Sequence, residues 1–328
     1  MQKKIKVAIV GCTGLVGRCV LKVLEERNFS DVSFILFASK KSAGSKILFL
    51  NKEYFVYELK ESSFDLNFDY AIFCAGGSVS KKFIPIAVSS GCVVIDNSSV
   101  YRMNANVPLI VPEVNIEEAD SNYGIIANPN CSTIQAVVPL KPLHDAFKIK
   151  RIVYSTYQAV SGAGKLGLDD LLNKNFGDSL QKFPYPIFNN CLPHIDSFLS
   201  DGYTKEEYKM INETRKILNE PDLAITVTTV RVPVPNCHCE CINLEFENDF
   251  DLDDVYYLLN NAPGVVVLDN PSKNEYPYPD IVNGNDNVFV GRIRRDFSVE
   301  TGVNLWVVAD NLRKGAATNA VQILQHFI

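Results

Sequence analysis

Short apolar runs alternate with an amphipathic stretch in the first part of the chain. Residues 5–10 are rich in β-branched side chains and lead into a glycine-rich turn at 11–17, after which apolar residues recur at helical spacing up to Leu24. A second apolar run follows at 32–37. A strand, a turn, a helix and another strand in this order form a βαβ unit, so the pattern predicts a parallel sheet.

Later runs at 70–75 and 93–96 predict further buried strands of this sheet, and each is followed by small or polar residues. Ligands of open α/β sheets bind beyond the carboxyl ends of the strands, so several candidate loops fall on one edge. Longer alternating segments then appear at 151–157, 224–232, 239–245 and 302–309. They predict a second, α+β unit with a mixed sheet, and residues 314–327 predict a C-terminal helix.

The composition is that of an ordinary globular protein. Of 328 residues, 47% are hydrophobic and 21% charged, which is enough chain for two domains. The net charge of −6 argues against nucleic acid or an anionic membrane as a partner. We find no targeting segment in residues 1–10 and no run of the roughly 18 apolar residues that a membrane helix needs. Nine scattered cysteines, an odd number, favour a reducing, cytoplasmic setting in which most are core residues.

The turn at 11–17 has the spacing G-x-x-G-x-x-G between a strand and a helix. Its backbone can approach a pyrophosphate at the helix N-terminus, which predicts a dinucleotide site. An NAD site usually carries Asp or Glu at the end of the second strand. Residues 38–44 instead contain two lysines, two serines and no carboxylate, which suit a 2′-phosphate and predict NADP. The alternatives are a tight turn without a ligand and a solvated surface loop.

Cys131 differs from the other cysteines in its position. It follows Asn128-Pro129-Asn130, in a polar turn between a predicted strand and a predicted helix. The dipole and the backbone N–H groups of a first helical turn favour a thiolate, and they could hold a developing oxyanion. Two prolines, Pro139 and Pro142, predict that this helix is short or kinked, because an interior proline removes a hydrogen bond.

The acid/base partner of this cysteine must be sought among four histidines: His144, His194, His238 and His326. His326 is near the end of the chain and His144 lies in a predicted helix, so the residues alone leave two histidines open. The cluster Cys237-His238-Cys239-Glu240-Cys241 looks like a metal motif. In a strand, however, its cysteines would face one side and His238 and Glu240 the other, and zinc sites usually draw on two separated pairs. We therefore predict no metal site.

Together these features resemble the aspartate-β-semialdehyde dehydrogenase family over nearly the whole chain. The specific match is residues 130–133 with 157–162; other matching segments are 11–17, 39–44, 112–115, 230–234, 291–294 and 306–316. The resemblance implies NADPH-dependent, reversible reductive dephosphorylation of L-4-aspartyl phosphate to L-aspartate 4-semialdehyde. This step serves the biosynthesis of lysine (through diaminopimelate), threonine and methionine. We predict that residues 1–128 and 312–328 form the dinucleotide-binding domain and that 129–311 form the catalytic domain, through which the family dimerises.

The resemblance also implies roles for individual residues. Cys131 would carry an acyl thioester, His238 would be the acid/base, and Gln158 would position substrate near the sulfur. Substrate and its phosphate would be held by Arg102, Asn130, Gln158, Glu206, Lys209 and Arg231. The cofactor would be bound by Gly11, Thr13, Gly14, Leu15, Val16, Ser39, Lys41, Ser42, Ser161, Gly162 and Asn311.

Three points qualify these roles. Arg231, the implied clamp for the substrate carboxylate, is seven residues before His238, so a regular strand would place the two on opposite faces; prolines between them break the ladder. Glu206 and Lys209 could equally be an ordinary i, i+3 helix pair. The family often has arginine where Lys41 stands, and lysine lacks the planar fork, which predicts weaker selectivity for NADP.

Two alternative functions stay open on the sequence. The first is another acyl-phosphate reductase, such as one resembling N-acetyl-γ-glutamyl-phosphate reductase, which needs a different substrate clamp. The second is an inactive binding or regulatory protein on the same fold.

Overall fold

The computed structural model describes residues 4–29 and 31–328. The first three residues, on which the targeting argument partly rests, lie outside this range. The strands are β1 (Lys6–Val10), β2 (Ser33–Ala38), β3 (Lys46–Phe49), β4 (Lys52–Glu58), β5 (Tyr70–Phe73), β6 (Val93–Asp96), β7 (Ile125–Ala127), β8 (Ile149–Gln158), β9 (Ala224–Arg231), β10 (His238–Phe246), β11 (Val265–Val267), β12 (Val288–Asp296) and β13 (Gly302–Ala309). The helices are α1 (Leu15–Glu26), α2 (Gly77–Ser89), α3 (Pro112–Asn115), α4 (Cys131–Phe147), α5 (Lys165–Leu172), α6 (Lys205–Leu218), α7 (Leu252–Asn261), α8 (Pro279–Val282) and α9 (Asn319–Phe327).

The chain divides into two compact units. The first comprises Met1–Pro129 and Ala316–Ile328, and the second comprises Asn130–Gly315. The assignment of a role to each range of residues stays a prediction.

The first unit contains a seven-stranded sheet in the order β3-β4-β2-β1-β5-β6-β7. All of its strand pairs are parallel except that of β3 with β4. The central strand β1 is buried along almost its whole length, as expected for a parallel sheet covered on both faces. The parallel sheet predicted from the βαβ unit is therefore confirmed, and its arrangement is Rossmann-like.

Two helices of the first unit, α1 and α9, pack against each other. The predicted apolar face of α1 is buried at Val20, Val23 and Leu24. The C-terminal helix is also confirmed, but it begins later than predicted, because a π-helical turn occupies Arg313–Thr318 before α9.

The second unit contains a six-stranded mixed sheet in the order β11-β12-β13-β10-β8-β9. The pairs β8/β9 and β11/β12 are parallel and the others antiparallel. Helix α4 packs on this sheet, with α6 and α7 beside it. This confirms the predicted mixed sheet; β11 and β12 were absent from the strand prediction.

Two predictions about particular residues were wrong. Helix α4 was predicted to be short or kinked, and it is not short: it continues through Pro139 and Pro142 for 17 residues. Most of its side chains are buried, so packing outweighs the hydrogen bonds that the prolines remove. The cysteines are also less buried than expected, since Cys191 is exposed and four others are only partly covered. Among the described residues, no helix is long and apolar enough to cross a membrane.

Candidate active site

Three of the predicted site residues lie at one end of the sheet in the second unit. Gln158 ends β8 and pairs with Arg231, which ends the parallel strand β9. His238 begins β10, which runs antiparallel to β8, so its start lies beside the end of β8. The break in the ladder that the prolines predicted is therefore present. Arg231 and His238 lie on different strands, and the turn at 232–237 between them brings both to the same end.

The first turn of α4 carries Cys131, whose surroundings are set by the residue before it. Asn130 caps the helix: its side-chain oxygen accepts hydrogen bonds from the N–H groups of Ser132 and Thr133 at 3.0 and 3.3 Å. Its own N–H donates to Glu213 at 2.6 Å. The cap thus uses two of the N–H groups that the sequence offered for an oxyanion, and that expectation does not hold for them. Cys131 itself is half-buried.

His238 is fully buried and held in one tautomer. The backbone N–H of Ala159 donates to its Nδ1 at 2.9 Å, so in the neutral ring the proton resides on Nε2. Burial, together with the nearby charge of Arg231, lowers the pKa of His238 to about 3, and Glu206 opposes this only weakly. At neutral pH the side chain is an uncharged donor through Nε2, and that atom has no protein partner among the described residues.

Arg231 is a buried cation beside the same groups. Its Nη1 donates to the carbonyl oxygen of Ala159 at 2.6 Å, while its Nε has no partner among the residues that the structure describes. Burial lowers the pKa of the guanidinium, and the acidic groups of Glu206 and Cys131 counteract this. Arginine remains charged at any ordinary pH. A buried guanidinium with a spare donor is suited to an anionic ligand.

Glu206 on α6 connects several predicted site residues. One carboxylate oxygen accepts from the amides of Asn130 and Gln158 at 2.9 and 3.1 Å. The other accepts from Lys209 at 3.0 Å, and Lys209 also contacts Asp196 at 2.8 Å. Burial raises the pKa of Glu206, but Lys209 and the two amides outweigh burial and lower it overall. Glu206 and Lys209 thus form the i, i+3 pair. Through the amide of Asn130, Glu206 also contacts the N-cap of α4, the helix that begins at Cys131.

Ser161, Gly162 and Asn311 also lie in the second unit. The hydroxyl of Ser161 and the amide of Asn311 are hydrogen-bonded at 3.0 Å, and the Asn311 oxygen accepts from the N–H of Cys237 at 2.9 Å. A Cβ on Gly162 would lie 3.0 Å from Arg231 Nη1 and 3.2 Å from His238 Nε2. Glycine at this position therefore leaves room beside the donor atom of the histidine.

The remaining predicted site residues lie in the first unit. Arg102 is buried there and donates to the carbonyl oxygens of Asn128 and Asn97 at 2.8 and 2.9 Å. The other residues belong to the turn after β1 and the loop after β2: Gly11, Thr13, Gly14, Leu15, Val16, Ser39, Lys41 and Ser42.

The backbone of the turn after β1 packs closely against the residue that follows β5. Gly11 has φ of +84°, and a Cβ there would meet the Cys74 carbonyl oxygen at 2.8 Å. Gly14 is the N-cap of α1 and has no side chain to cap the helix. No side chain therefore caps the first N–H groups of α1, and such groups are suited to a phosphate.

Three contacting groups were missed by the sequence reasoning. The N–H of Ala159 and the carboxylate of Glu213 hold His238 and Asn130, respectively. Gly315 lies against Cys131, since a Cβ there would come within 2.9 Å of Cys131 Cβ. Of the three, only Gly315 could have been found from the sequence, because it is the one glycine in the segment that follows β13.

The cysteines around His238 have a structural environment. Cys237 and Cys239 pack in an apolar cluster with Val282 and Val308. Burial raises the pKa of Cys239 to about 12, so it stays a thiol. In the described part of the chain, no group of three or more His, Cys, Asp or Glu side chains could hold a metal ion.

Comparison with known proteins shows the family. Residues 6–122 match the family model for the semialdehyde dehydrogenase NAD binding domain, and residues 140–314 match that for the semialdehyde dehydrogenase dimerisation domain. An aspartate-semialdehyde dehydrogenase of Aquifex aeolicus is 54% identical over 98% of this chain and 97% of its own. The chain belongs to the aspartate-semialdehyde dehydrogenase family.

Solved structures of the family agree with the fold. Aspartate semialdehyde dehydrogenase II of Vibrio cholerae, complexed with ASA, superposes with a TM-score of 0.93 at 43% identity, covering 99% of this chain and 98% of that one. The enzyme of Candida albicans with NADP gives a TM-score of 0.78 at 27% identity, with 98% of each chain covered.

Proposed function

We propose that this protein catalyses the NADPH-dependent reductive dephosphorylation of L-4-aspartyl phosphate to L-aspartate 4-semialdehyde. The observation that carries this is the arrangement in the second unit. A half-buried cysteine begins a helix, and a buried arginine and a neutral histidine with a spare donor lie in the same unit. Family membership supports the substrate, and the Vibrio cholerae relative was solved in complex with ASA. The step would serve lysine, threonine and methionine biosynthesis.

The proposed reaction proceeds through a thioester. The Cys131 thiolate attacks the acyl carbon, and the bond to phosphate breaks so that phosphate leaves with the electron pair. NADPH, when bound, supplies the hydride that reduces the thioester. As negative charge develops on the acyl oxygen, the Nε2–H of His238 donates a hydrogen bond to it. The charge then passes to sulfur as the thiohemiacetal anion collapses to aldehyde and thiolate.

The other side chains bind and orient the substrate. We propose that Arg231 clamps the carboxylate of the substrate and that Glu206, held as a carboxylate, faces its ammonium group with Asn130 and Gln158. Lys209 and Arg102 would bind the phosphate. Each of these charges is complementary to a group of aspartyl phosphate, which is why this substrate fits better than a neutral acyl ester.

The cofactor would be held by the turn after β1 and the loop after β2 in the first unit, together with Ser161, Gly162 and Asn311. Lys41 and two serines in that loop, without a carboxylate, support NADP, which the Candida albicans relative binds. We also propose a homodimer, because the second unit matches the dimerisation domain of the family, and a cytoplasmic location.

The test uses purified protein with L-aspartate 4-semialdehyde, phosphate and NADP, and follows NADPH formation. Wild-type protein should turn over, and Cys131→Ala should keep its fold by circular dichroism while losing activity. Substantial activity in Cys131→Ala would overturn the thioester mechanism. Faster turnover of N-acetyl-glutamate semialdehyde than of the aspartate compound would favour the alternative reductase. A protein inert toward both, with slow alkylation of Cys131 by iodoacetamide, would favour the binding protein.

A further inference from the structure

Glu240 is a fully buried carboxyl group that none of the roles above uses. It lies on β10, two residues after His238, and so faces the same side of the sheet. The Gln135 side chain lies beside it, yet neither oxygen of Glu240 makes a hydrogen bond of good geometry among the described residues, and the side-chain oxygen of Gln135 likewise makes none. Buried polar atoms are costly when unpaired. Three acceptors without a well-placed donor therefore indicate a missing proton.

The missing proton belongs on Glu240 itself. Burial raises the pKa of Glu240 well above its ordinary value, and the neighbouring Gln135 amide lowers it only in part. A carboxylic acid has one O–H donor and keeps acceptor capacity, whereas a carboxylate can only accept. The uncharged form can therefore pair with an amide, and it avoids placing a lone charge in the core.

Gln135 connects this carboxyl group to the reacting residues. It lies four residues after Cys131 on α4, and thus on the same face of that helix one turn away. Its Nε2 donates to the backbone oxygen of His238 at 3.3 Å. The Gln135 side chain therefore links helix α4, which begins at Cys131, to strand β10, which begins at His238.

Glu240 also lies beside the strand that carries Gln158. In the ladder Glu240 pairs with Thr156, so their side chains share a face. The hydroxyl of Thr156 donates to the side-chain oxygen of Gln158 at 3.1 Å. The carboxyl group thus shares a face of the sheet with Thr156, which holds the side chain of Gln158.

We propose that Glu240 is a positioning residue, whose uncharged carboxyl group engages Gln135 and so ties the helix that begins at Cys131 to the strand that begins at His238. This inference rests on the proposed function. It adds a residue that does not touch substrate but holds two residues that do.

Three variants test the proposal by turnover and by the rate of Cys131 alkylation with iodoacetamide. Glu240→Gln keeps an uncharged donor and should retain kcat and alkylation rate within about twofold. Glu240→Met has a similar length without polar atoms, and should lower kcat about fivefold to tenfold, the value of one net hydrogen bond, with KM little changed. The double variant with Gln135→Met should be no slower than Gln135→Met alone. Wild-type rates in Glu240→Met, or additive losses in the double variant, would overturn the proposal.

A spectroscopic measurement covers the case in which Glu240→Met fails to fold. The infrared difference spectrum between wild type and Glu240→Gln at pH 8 should contain the C=O stretch of a protonated carboxyl group. A carboxylate band in its place would contradict the proposal. So would a loss of activity in well-folded Glu240→Gln, which would show that ionisation of Glu240 is used.

The two proposals fail in different ways. If the wild-type protein does not turn over aspartate semialdehyde, the proposed function fails, while the infrared band and the alkylation rates remain informative about Glu240. If turnover is normal and the carboxylate band is found, only the role of Glu240 fails.

Discussion

The backbone N–H of Ala159 donates to Nδ1 of His238, and this single contact decides which nitrogen of the ring can act on a ligand. Protonation of Nδ1 would set two N–H groups against each other. The contact therefore opposes the imidazolium form, in the same direction as burial and the Arg231 charge, which lower the pKa of His238 to about 3. His238 is prepared as a donor through Nε2, not as a base that stores a proton.

This predicts the pH dependence of the enzyme. The pH profile of kcat/KM should have no limb near pH 6.5, the ordinary value of histidine, and the NMR signal of His238 should not titrate between pH 5 and pH 8. The stability contribution has a definite sign. Because the folded pKa is depressed, stability should fall as the pH is lowered from about 6.5 toward 3, as the unfolded state takes up a proton first. A limb near 6.5 that disappears in His238→Gln would contradict the assignment.

Gly315 should be intolerant of a side chain for a chemical reason. A Cβ there would lie 2.9 Å from Cys131 Cβ, so Gly315→Ala must displace Cys131, the proposed nucleophile. We expect kcat/KM to fall about tenfold to a hundredfold, the scale of a misplaced reacting group, and the alkylation rate of Cys131 to change.

The matched control is Gly302→Ala, at the far end of β13. There a Cβ would be as crowded, 2.5 Å from Val299, but remote from the reacting groups. This variant should lower the melting temperature and leave kcat/KM of the folded protein near the wild-type value. If both variants lose stability and neither loses kcat/KM, the contact with Cys131 has no catalytic consequence.

The residues that the sequence placed correctly are those with a local signal. Cys131 was expected at the start of a helix, because it lies in a polar turn after an apolar strand, and the structure adds Asn130 as the N-cap. Glu206 and Lys209 were recognised as a helix pair by their spacing. The parallel sheet of the first unit followed from apolar runs and glycine turns alone.

The relationships that the sequence did not reveal are tertiary. The N–H of Ala159 belongs to the backbone, and any residue at that position would carry it. The length of α4 is decided by burial on several sides, which local proline chemistry cannot register. Glu240 looked like part of a metal motif, because its neighbours in sequence are cysteines. Its relevant neighbours in space are Gln135 and Thr156.

Lys209 should stabilise the buried carboxylate of Glu206. In Lys209→Met, Glu206 would lose the cation that keeps its pKa low, and the unpaired carboxylate should cost about 3 kcal/mol of unfolding free energy at pH 8. The loss should shrink at pH 5, where the variant can protonate Glu206. In the wild type, this stabilisation is present above the ordinary pKa of glutamate and is lost as pH falls through the lowered one.

The control for this variant is Lys205→Met, an exposed lysine on the same helix α6, which should change stability little at either pH. Chemical denaturation at pH 5 and pH 8 measures both variants. An equal loss for Lys209→Met at the two pH values would mean that the pair does not govern Glu206.

Lys41 should limit cofactor selectivity. It is exposed in the loop after β2, and arginine there would offer a planar fork to a 2′-phosphate. Lys41→Arg should raise the ratio of kcat/KM with NADP to that with NAD about threefold to tenfold, the value of an added hydrogen bond. The neighbouring change Lys40→Arg adds the same group without the proposed contact, and should leave the ratio unchanged. A similar increase in both variants would point to general electrostatic attraction instead.

Because of Glu240, the free energy of unfolding should fall as the pH rises. The folded state keeps this group protonated, since burial raises its pKa well above the ordinary value, while the unfolded chain ionises it near pH 4.3. Stability from this group is therefore complete below about pH 4.3 and declines as pH rises toward the folded value. Glu240→Gln removes the titration, so its melting temperature should exceed that of the wild type by more at pH 8 than at pH 5. Glu245→Gln, a partly exposed change on the same strand β10, is the control and should show no such trend. If the difference between Glu240→Gln and wild type is independent of pH, Glu240 ionises in the folded protein, and its engagement with Gln135 as an acid is ruled out.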